Sequence, residues 1–220
     1  MPPVPINPTR ITGPWTDGYV LDRHTISSTP TGDPIYRFDT KRTELGELLY
    51  QFKYGGKPQP GAYDPFAPHP VPSALQGPMD SAKIDLMQGI VDTVHDFLEK
   101  RCATWPSFDC IVPAPPSLKR EVQPVVAIAR ELAARLGLPL CENAVVKAKP
   151  TSQMKNVDKA DRPRVLSEAI QKGPADVRGK RVLLVDDLIE SGATLRRATE
   201  VLLRDGSAAA VYALVLTRTK

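Results

Sequence analysis

The run from Val182 to Thr194, VLLVDDLIESGAT, constrains this chain more than any other stretch. Val182 to Val185 is apolar at every position, the pattern of a central parallel strand buried on both faces. Two adjacent carboxylates, Asp186 and Asp187, follow at its carboxyl end, the edge of an open α/β sheet where ligands bind. Successive strand side chains point opposite ways, so the pair cannot both enter the core and at least one faces the crevice. A carboxylate is the natural acceptor for the paired hydroxyls of a ribose. The loop Glu190-Ser191-Gly192-Ala193-Thr194 then opens a helix. Gly192 lets backbone N–H groups approach an anion, Ser191 and Thr194 supply hydroxyls, and the helix N-terminus supplies a favourable dipole. A diol acceptor beside a phosphate cradle suits a ribose 5-phosphate. A strand, an acidic turn and a helix capped by Thr194 would explain parts of the run, but not the whole order.

The rest of the second half alternates strand and helix, which predicts a parallel sheet flanked by helices. FDCIVP (108–113) reads as a short apolar strand, 123–136 as a helix, and 143–146 as a brief strand. RVLLVDD (181–187), the helix 194–204 and AAVYALVL complete the pattern. Upstream, Asp80 caps a predicted helix with an apolar stripe of Ile84, Met87, Val91, Val94 and Leu98. Thr43 to Tyr54 places Leu45, Leu48, Leu49 and Phe52 at helical spacing, ended by Gly55-Gly56. YVLDRHTIS and PIYRFD flank the turn formers TPTGD, a hairpin signal. The expected organisation is an extended proline-rich arm (1–16), a hairpin, helix and proline- and glycine-rich surface connection (17–78), and a core (79–220).

Three cysteines, Cys102, Cys110 and Cys141, form no CxxC pair, which argues against a zinc ribbon or disulfide framework and for a reducing, cytoplasmic setting. MPPVPINPTR lacks a signal-peptide apolar core, and no stretch approaches a membrane span. Net charge is +4 with a pI near 9.0. That balance suits an anionic ligand and is too mild to indicate DNA by itself. Aromatic residues at 6% leave little for base-stacking platforms. His24, His69 and His95 show no ligand spacing and are read as structural or exposed.

VLLVDDLIESGAT resembles the phosphoribosyl pyrophosphate (PRPP) signature of type I phosphoribosyltransferases. The resemblance implies their α/β fold, with a central, mainly parallel sheet and a small N-terminal hood. It also implies transfer of a 5-phosphoribosyl group from PRPP to a nucleophile with release of pyrophosphate. Asp186 and Asp187 would hold the ribose hydroxyls, and through them or water meet Mg²⁺. Ribose and 5-phosphate would lie along Asp186, Asp187, Leu188, Ile189, Glu190, Ser191, Gly192, Ala193 and Thr194. Glu190 stands where purine-salvage members have an acid proposed as general base, so it joins Asp186 and Asp187 as a catalytic candidate. A solvated glutamate favoured by the helix dipole accounts for it equally well.

Pyrophosphate would lie between two further segments. Ala114, Pro115, Pro116, Ser117, Lys119 and Arg120 follow the 108–113 strand at its carboxyl end. Lys147, Lys149, Gln153, Lys155 and Arg162 belong to a long basic stretch of the kind that closes over PRPP in type I enzymes. FKYGGKP (52–58), VPAPPS (112–117) and KPTSQ (149–153) are similar to the competence-protein ComF-like branch, although this chain has a cysteine-free hairpin where that branch has a zinc ribbon. The acceptor pocket falls to residues 18–60, with Trp15, Phe52 and Tyr54 as flat surfaces. The expected partners are PRPP and an acceptor the sequence does not identify, with a homodimer open by family habit. Neither nucleic acid nor membrane is expected. A non-catalytic PRPP- or nucleotide-binding sensor or adaptor of the same fold is the alternative, and a DNA-associated competence role ranks below both.

Overall fold

The computed structural model describes residues 2–32, 38–55, 79–101, 104–116, 123–148 and 169–219. Its centre is the apolar strand, β8 (Arg181–Ile189), paired in parallel with β5 (Cys110–Pro113) on one side and β9 (Ala210–Arg218) on the other. β9 pairs in parallel with β2 (Asp17–Arg23), and β1 (Thr9–Arg10) closes that edge antiparallel, giving the order β1-β2-β9-β8-β5. The expected α/β class, a mainly parallel sheet flanked by helices, is what the structure shows.

Strand alternation divides the core into two layers. Val182 and Leu184 of β8, with Val211, Ala213 and Val215 of β9, pack on Leu195 and Ala198 of α4 (Ala193–Glu200) and on Val201 and Leu202 beyond it. Leu183, Val185, Leu214 and Leu216 face the other way. They meet α1 (Glu44–Tyr54), α2 (Ser81–Arg101) and α3 (Pro124–Leu136) through Leu45, Leu49, Ile90, Val94, Ile128 and Leu132. All six of those helix residues are fully buried. After α4 the chain widens into one π-type turn, Val201–Asp205, closed by the Gly206 amide donating to the Val201 carbonyl at 2.8 Å.

Two small antiparallel ribbons lie outside the main sheet. β3 (Thr25–Pro30) pairs with β4 (Phe38–Arg42), and β6 (Val145–Lys147) with β7 (Ile170–Lys172). The first ribbon corrects the hairpin reading. Residues 19–27 were expected as one strand, but the chain breaks at His24. The part before it joins the central sheet beside β9, and only the part after it pairs with β4. The His24 amide donates to the Arg218 carbonyl at 2.7 Å, the last sheet bond before the chain turns away.

The proline-rich arm is also anchored rather than free. Val4 N donates to Thr93 Oγ1 at 3.0 Å, and Trp15 is 6% exposed in the α4-side core. A Cβ at Gly13 or Gly18 would come within 2.6 Å of the Trp15 ring, so both glycines are there to admit it. Trp15 and the buried Phe52 therefore serve the core and cannot be flat pocket surfaces, while Tyr54 is half-buried beside Tyr50. In α2, Asp80 Oδ1 accepts from Lys83 N as a cap should, but Ile84 is 42% exposed, and Ile90 takes its place in the stripe. Most of the expected surface connection (56–78) lies outside the described residues, as does most of the basic stretch (149–168).

Candidate functional site

β8 stays in the sheet past the acidic pair. Asp186 pairs in register with Val215, Leu188 with Thr217 and Ile189 with Arg218. Strand alternation then places the two carboxylates on opposite faces of one sheet edge, Asp187 toward α1 and Asp186 toward α4. The Asp187 amide donates to Asp186 Oδ1 at 2.8 Å, which fixes the first carboxylate against its own backbone. Burial, and then the charge of Asp187, push the Asp186 carboxyl up to about 7.

The turn into α4 is built on Gly192, whose φ of 74° and ψ of 4° lie in the left-handed region. A side chain there would be strained, and its Cβ would sit 3.2 Å from Ile189 Cδ1. Gly192 is the N-cap, so the ligand-free alternative of a helix capped by Thr194 is not what the chain adopts. With glycine in that place no capping side chain meets the first-turn amides, although Ser191 Oγ reaches Ala193 N at 3.4 Å. Those N–H groups and the helix dipole are available to an anion. Glu190 and Ser191 are exposed, and Ala193 and Thr194 are half-buried.

A cleft runs along this edge. One lobe, about 270 Å³, is lined by Asp186 through Leu195 together with Lys53. A second, about 140 Å³, brings Asp186, Asp187, Leu188, Thr194 and Lys53 against Ala114, Pro115, Pro116, Gln123, Pro124 and Val125. The structure thus gathers the residues 114–116 and 186–194 singled out in the sequence. Lys147 sits on β6 in the outer ribbon, outside the lining of both lobes, and burial holds its ammonium pKa below the usual lysine value. Ser117, Lys119, Arg120, Lys149, Gln153, Lys155 and Arg162 lie outside the described residues.

Of the residues that sequence reasoning did not assign to the site, Lys53 lines both lobes and His24 lies behind Asp187 through Thr217. Lys53 Nζ lies 2.7 Å from Asp187 Oδ2, with side chains 10% and 18% exposed. Its signal was available: Leu45, Leu49 and Lys53 are spaced i, i+4, i+8, so a lysine occupies the buried stripe of α1. His24, read as structural or exposed, is buried beside Thr217 at 3.2 Å from Nδ1 to Oγ1. The Thr217 hydroxyl donates its one proton to the Asp187 carbonyl at 3.1 Å, so His24 Nδ1–H must be the donor to Thr217. Burial, then the positive charge of Lys53 and Arg42, lower the His24 pKa to about 4, so the ring is neutral at pH 7.

Residues 125–220 match the family model of the phosphoribosyl transferase domain. That match spans the C-terminal part of the chain, a little under half of its length. It holds β8, α4 and the whole 182–194 run, while Lys53 and residues 114–116 reach the cleft from outside it. Among solved structures, the chain is similar to an adenine phosphoribosyltransferase at 20% identity, covering 60% of this chain and 71% of that one, with a TM-score of 0.41. The adenine phosphoribosyltransferase of Saccharomyces cerevisiae aligns at 17% identity over 60% and 69%, with a TM-score of 0.39. The orotate phosphoribosyltransferase of Aeropyrum pernix aligns at 16% over 79% and 81%, also with a TM-score of 0.39. No curated protein matches the sequence.

Proposed function

We propose that the protein is a phosphoribosyltransferase that binds PRPP with Mg²⁺ along the β8–α4 edge and transfers the 5-phosphoribosyl group to a nucleophile. The observation that carries this reading is the juxtaposition of two carboxylates and a glycine-capped helix N-terminus in one cleft, inside the matched domain. Asp186 and Asp187 accept the ribose hydroxyls. The amides at 192–194 and the hydroxyls of Ser191 and Thr194 receive the 5-phosphate. This arrangement presents C1 toward the second lobe, where Ala114, Pro115 and Pro116 border the pyrophosphate. Ser117, Lys119 and Arg120, next in the chain, and the basic segment containing Lys147, Lys149 and Lys155 are the further groups proposed for it.

In the transfer, the acceptor's lone pair forms the new bond to C1 as the C1–oxygen bond to pyrophosphate breaks. The bonding electrons leave with pyrophosphate, and the acceptor's proton passes to Glu190 or to water. Positioning, and stabilisation of a cationic sugar beside two carboxylates, carry the rate. Among the described residues no group of three or more His, Cys, Asp or Glu could hold a metal ion alone. Two carboxylates at a ribose site fit a Mg²⁺ brought mainly by pyrophosphate and sugar hydroxyls, with Asp186 and Asp187 meeting it through those hydroxyls or water. The ion would supply neutralisation of the leaving group's charge.

The ComF-like affiliation belongs to this reading on the strength of FKYGGKP, whose Lys53 lines the cleft. Exchange of labelled pyrophosphate into PRPP, followed by PRPP turnover with a panel of bases and amines, tests it. Acceptor-dependent release of pyrophosphate is expected. PRPP binding with no turnover on any acceptor would instead make the protein a sensor of the same ligand.

A further inference from the structure

Lys53 reaches the strand edge from the N-terminal part of the chain, outside the matched domain. Its position is fixed from several sides. Thr43 caps α1 by accepting from Gly46 N at 3.0 Å, and its hydroxyl donates to the Arg23 carbonyl at 2.6 Å. A Cβ on Gly46 would lie 2.2 Å from the His24 carbonyl oxygen, so only glycine lets α1 approach the end of β2 this closely. Leu45, Leu49 and Phe52 hold the helix on the sheet, and its last turn delivers the Lys53 ammonium to Asp187.

For stability alone this is a poor use of a buried position. A desolvated ion pair is often matched or bettered by apolar side chains of similar volume. The pair sits instead where both lobes of the cleft meet, and Lys53 lines each of them. One oxygen of Asp187 engaged by the ammonium leaves the remaining lone pairs for hydroxyl donors, with the carboxylate plane held still.

We propose that Lys53 is a positioning residue of the ribose site: its ammonium holds the Asp187 carboxylate in the orientation that accepts a sugar hydroxyl, and so ties α1 to the bound ligand. The proposal rests on the phosphoribosyl reading of the cleft and deepens it. It assigns to the N-terminal segment a share in sugar recognition, distinct from anion binding by the loop.

The test is calorimetric titration of the full chain with Mg²⁺–PRPP, ribose 5-phosphate and inorganic pyrophosphate, using the wild type, Lys53→Met and Lys53→Arg. Lys53→Met should weaken both sugar-containing ligands about tenfold or more and leave pyrophosphate within about twofold. Lys53→Arg should recover most of the loss. Unchanged PRPP affinity in folded Lys53→Met overturns the proposal, and so does an equal loss for pyrophosphate, which would make Lys53 a general anion contact. Hydrogen exchange on the wild type needs no substitution: PRPP should slow the amides of α1 as well as those at 190–196. Slowing at 190–196 with α1 unchanged overturns the coupling. A wild type that binds no PRPP fails at an earlier point, overturning the phosphoribosyl reading and this proposal together.

Discussion

At Asp186 the needs of the fold and of the proposed chemistry oppose each other. The folded state holds its carboxyl up to about 7 against an ordinary value of 3.8, through burial and the neighbouring Asp187. Between about pH 4 and 7 the folded chain keeps a proton that the unfolded chain releases, so the stability from this group is lost as pH rises through that window. Asp186→Asn should therefore raise the Tm at pH 8 more than at pH 4, while PRPP affinity falls. Equal Tm shifts at both pH values would show that the carboxyl is not strained. His24 works in the opposite sense. Its folded pKa near 4 lies below the ordinary 6.5, so its contribution is lost as pH falls through that interval. Glu190 is exposed, and a general base needs only to reach the acceptor's proton. Glu190→Gln should cut turnover about a hundredfold with PRPP affinity unchanged. Full turnover in that variant would return Glu190 to the role of a solvated charge.

Among the elements, α1 carries the sharpest expectation. Gly46→Ala puts a methyl into the His24 carbonyl, and the helix must shift to relieve the overlap. The change should cost about 1–3 kcal/mol in urea unfolding. It should also weaken PRPP binding by displacing Lys53, although Gly46 lines neither lobe of the cleft. Stability and affinity both at wild-type level would mean that α1 does not sit where the structure puts it. The same helix shows where sequence reading stops. The 182–194 run was legible because strand, acids, glycine turn and helix are contiguous, and each has a local cause. The pairing of Lys53 with Asp187 joins segments far apart in the chain, and no periodicity reports such a contact. The strand ending at Arg23 was likewise read as half of a hairpin. Extended residues on both sides of His24 look alike, and the parallel partner of β2 is β9, near the other end of the sequence. Proline enrichment suggested a loose arm, yet one tryptophan between two glycines anchors it.

At the scale of the whole molecule, the sheet is completed by the N-terminal segment, because β2 covers the edge that β9 would otherwise expose. Trp15 secures that arrangement: it is buried at 6%, donates from Nε1 to the Ile11 carbonyl at 2.9 Å, and faces the Arg196 guanidinium at 5.8 Å. Trp15→Ala should cost about 3–5 kcal/mol, the range for removing a buried aromatic. An unchanged unfolding midpoint would detach the arm from the core. Arg196 belongs to α4, so the arm also braces the helix whose N-terminus borders the cleft. Of the regions outside the matched domain, α1 thus contributes Lys53 to the proposed ribose site, and the arm braces α4 through Trp15. Heat measured on titrating Mg²⁺–PRPP into the wild type and into Asp187→Asn probes the acidic pair directly. Saturable binding at one site by the wild type, weakened about a hundredfold or more in the variant, is the expected result. No heat with the wild type, or the same affinity in both proteins, would contradict a ribose-binding acidic pair at the end of β8.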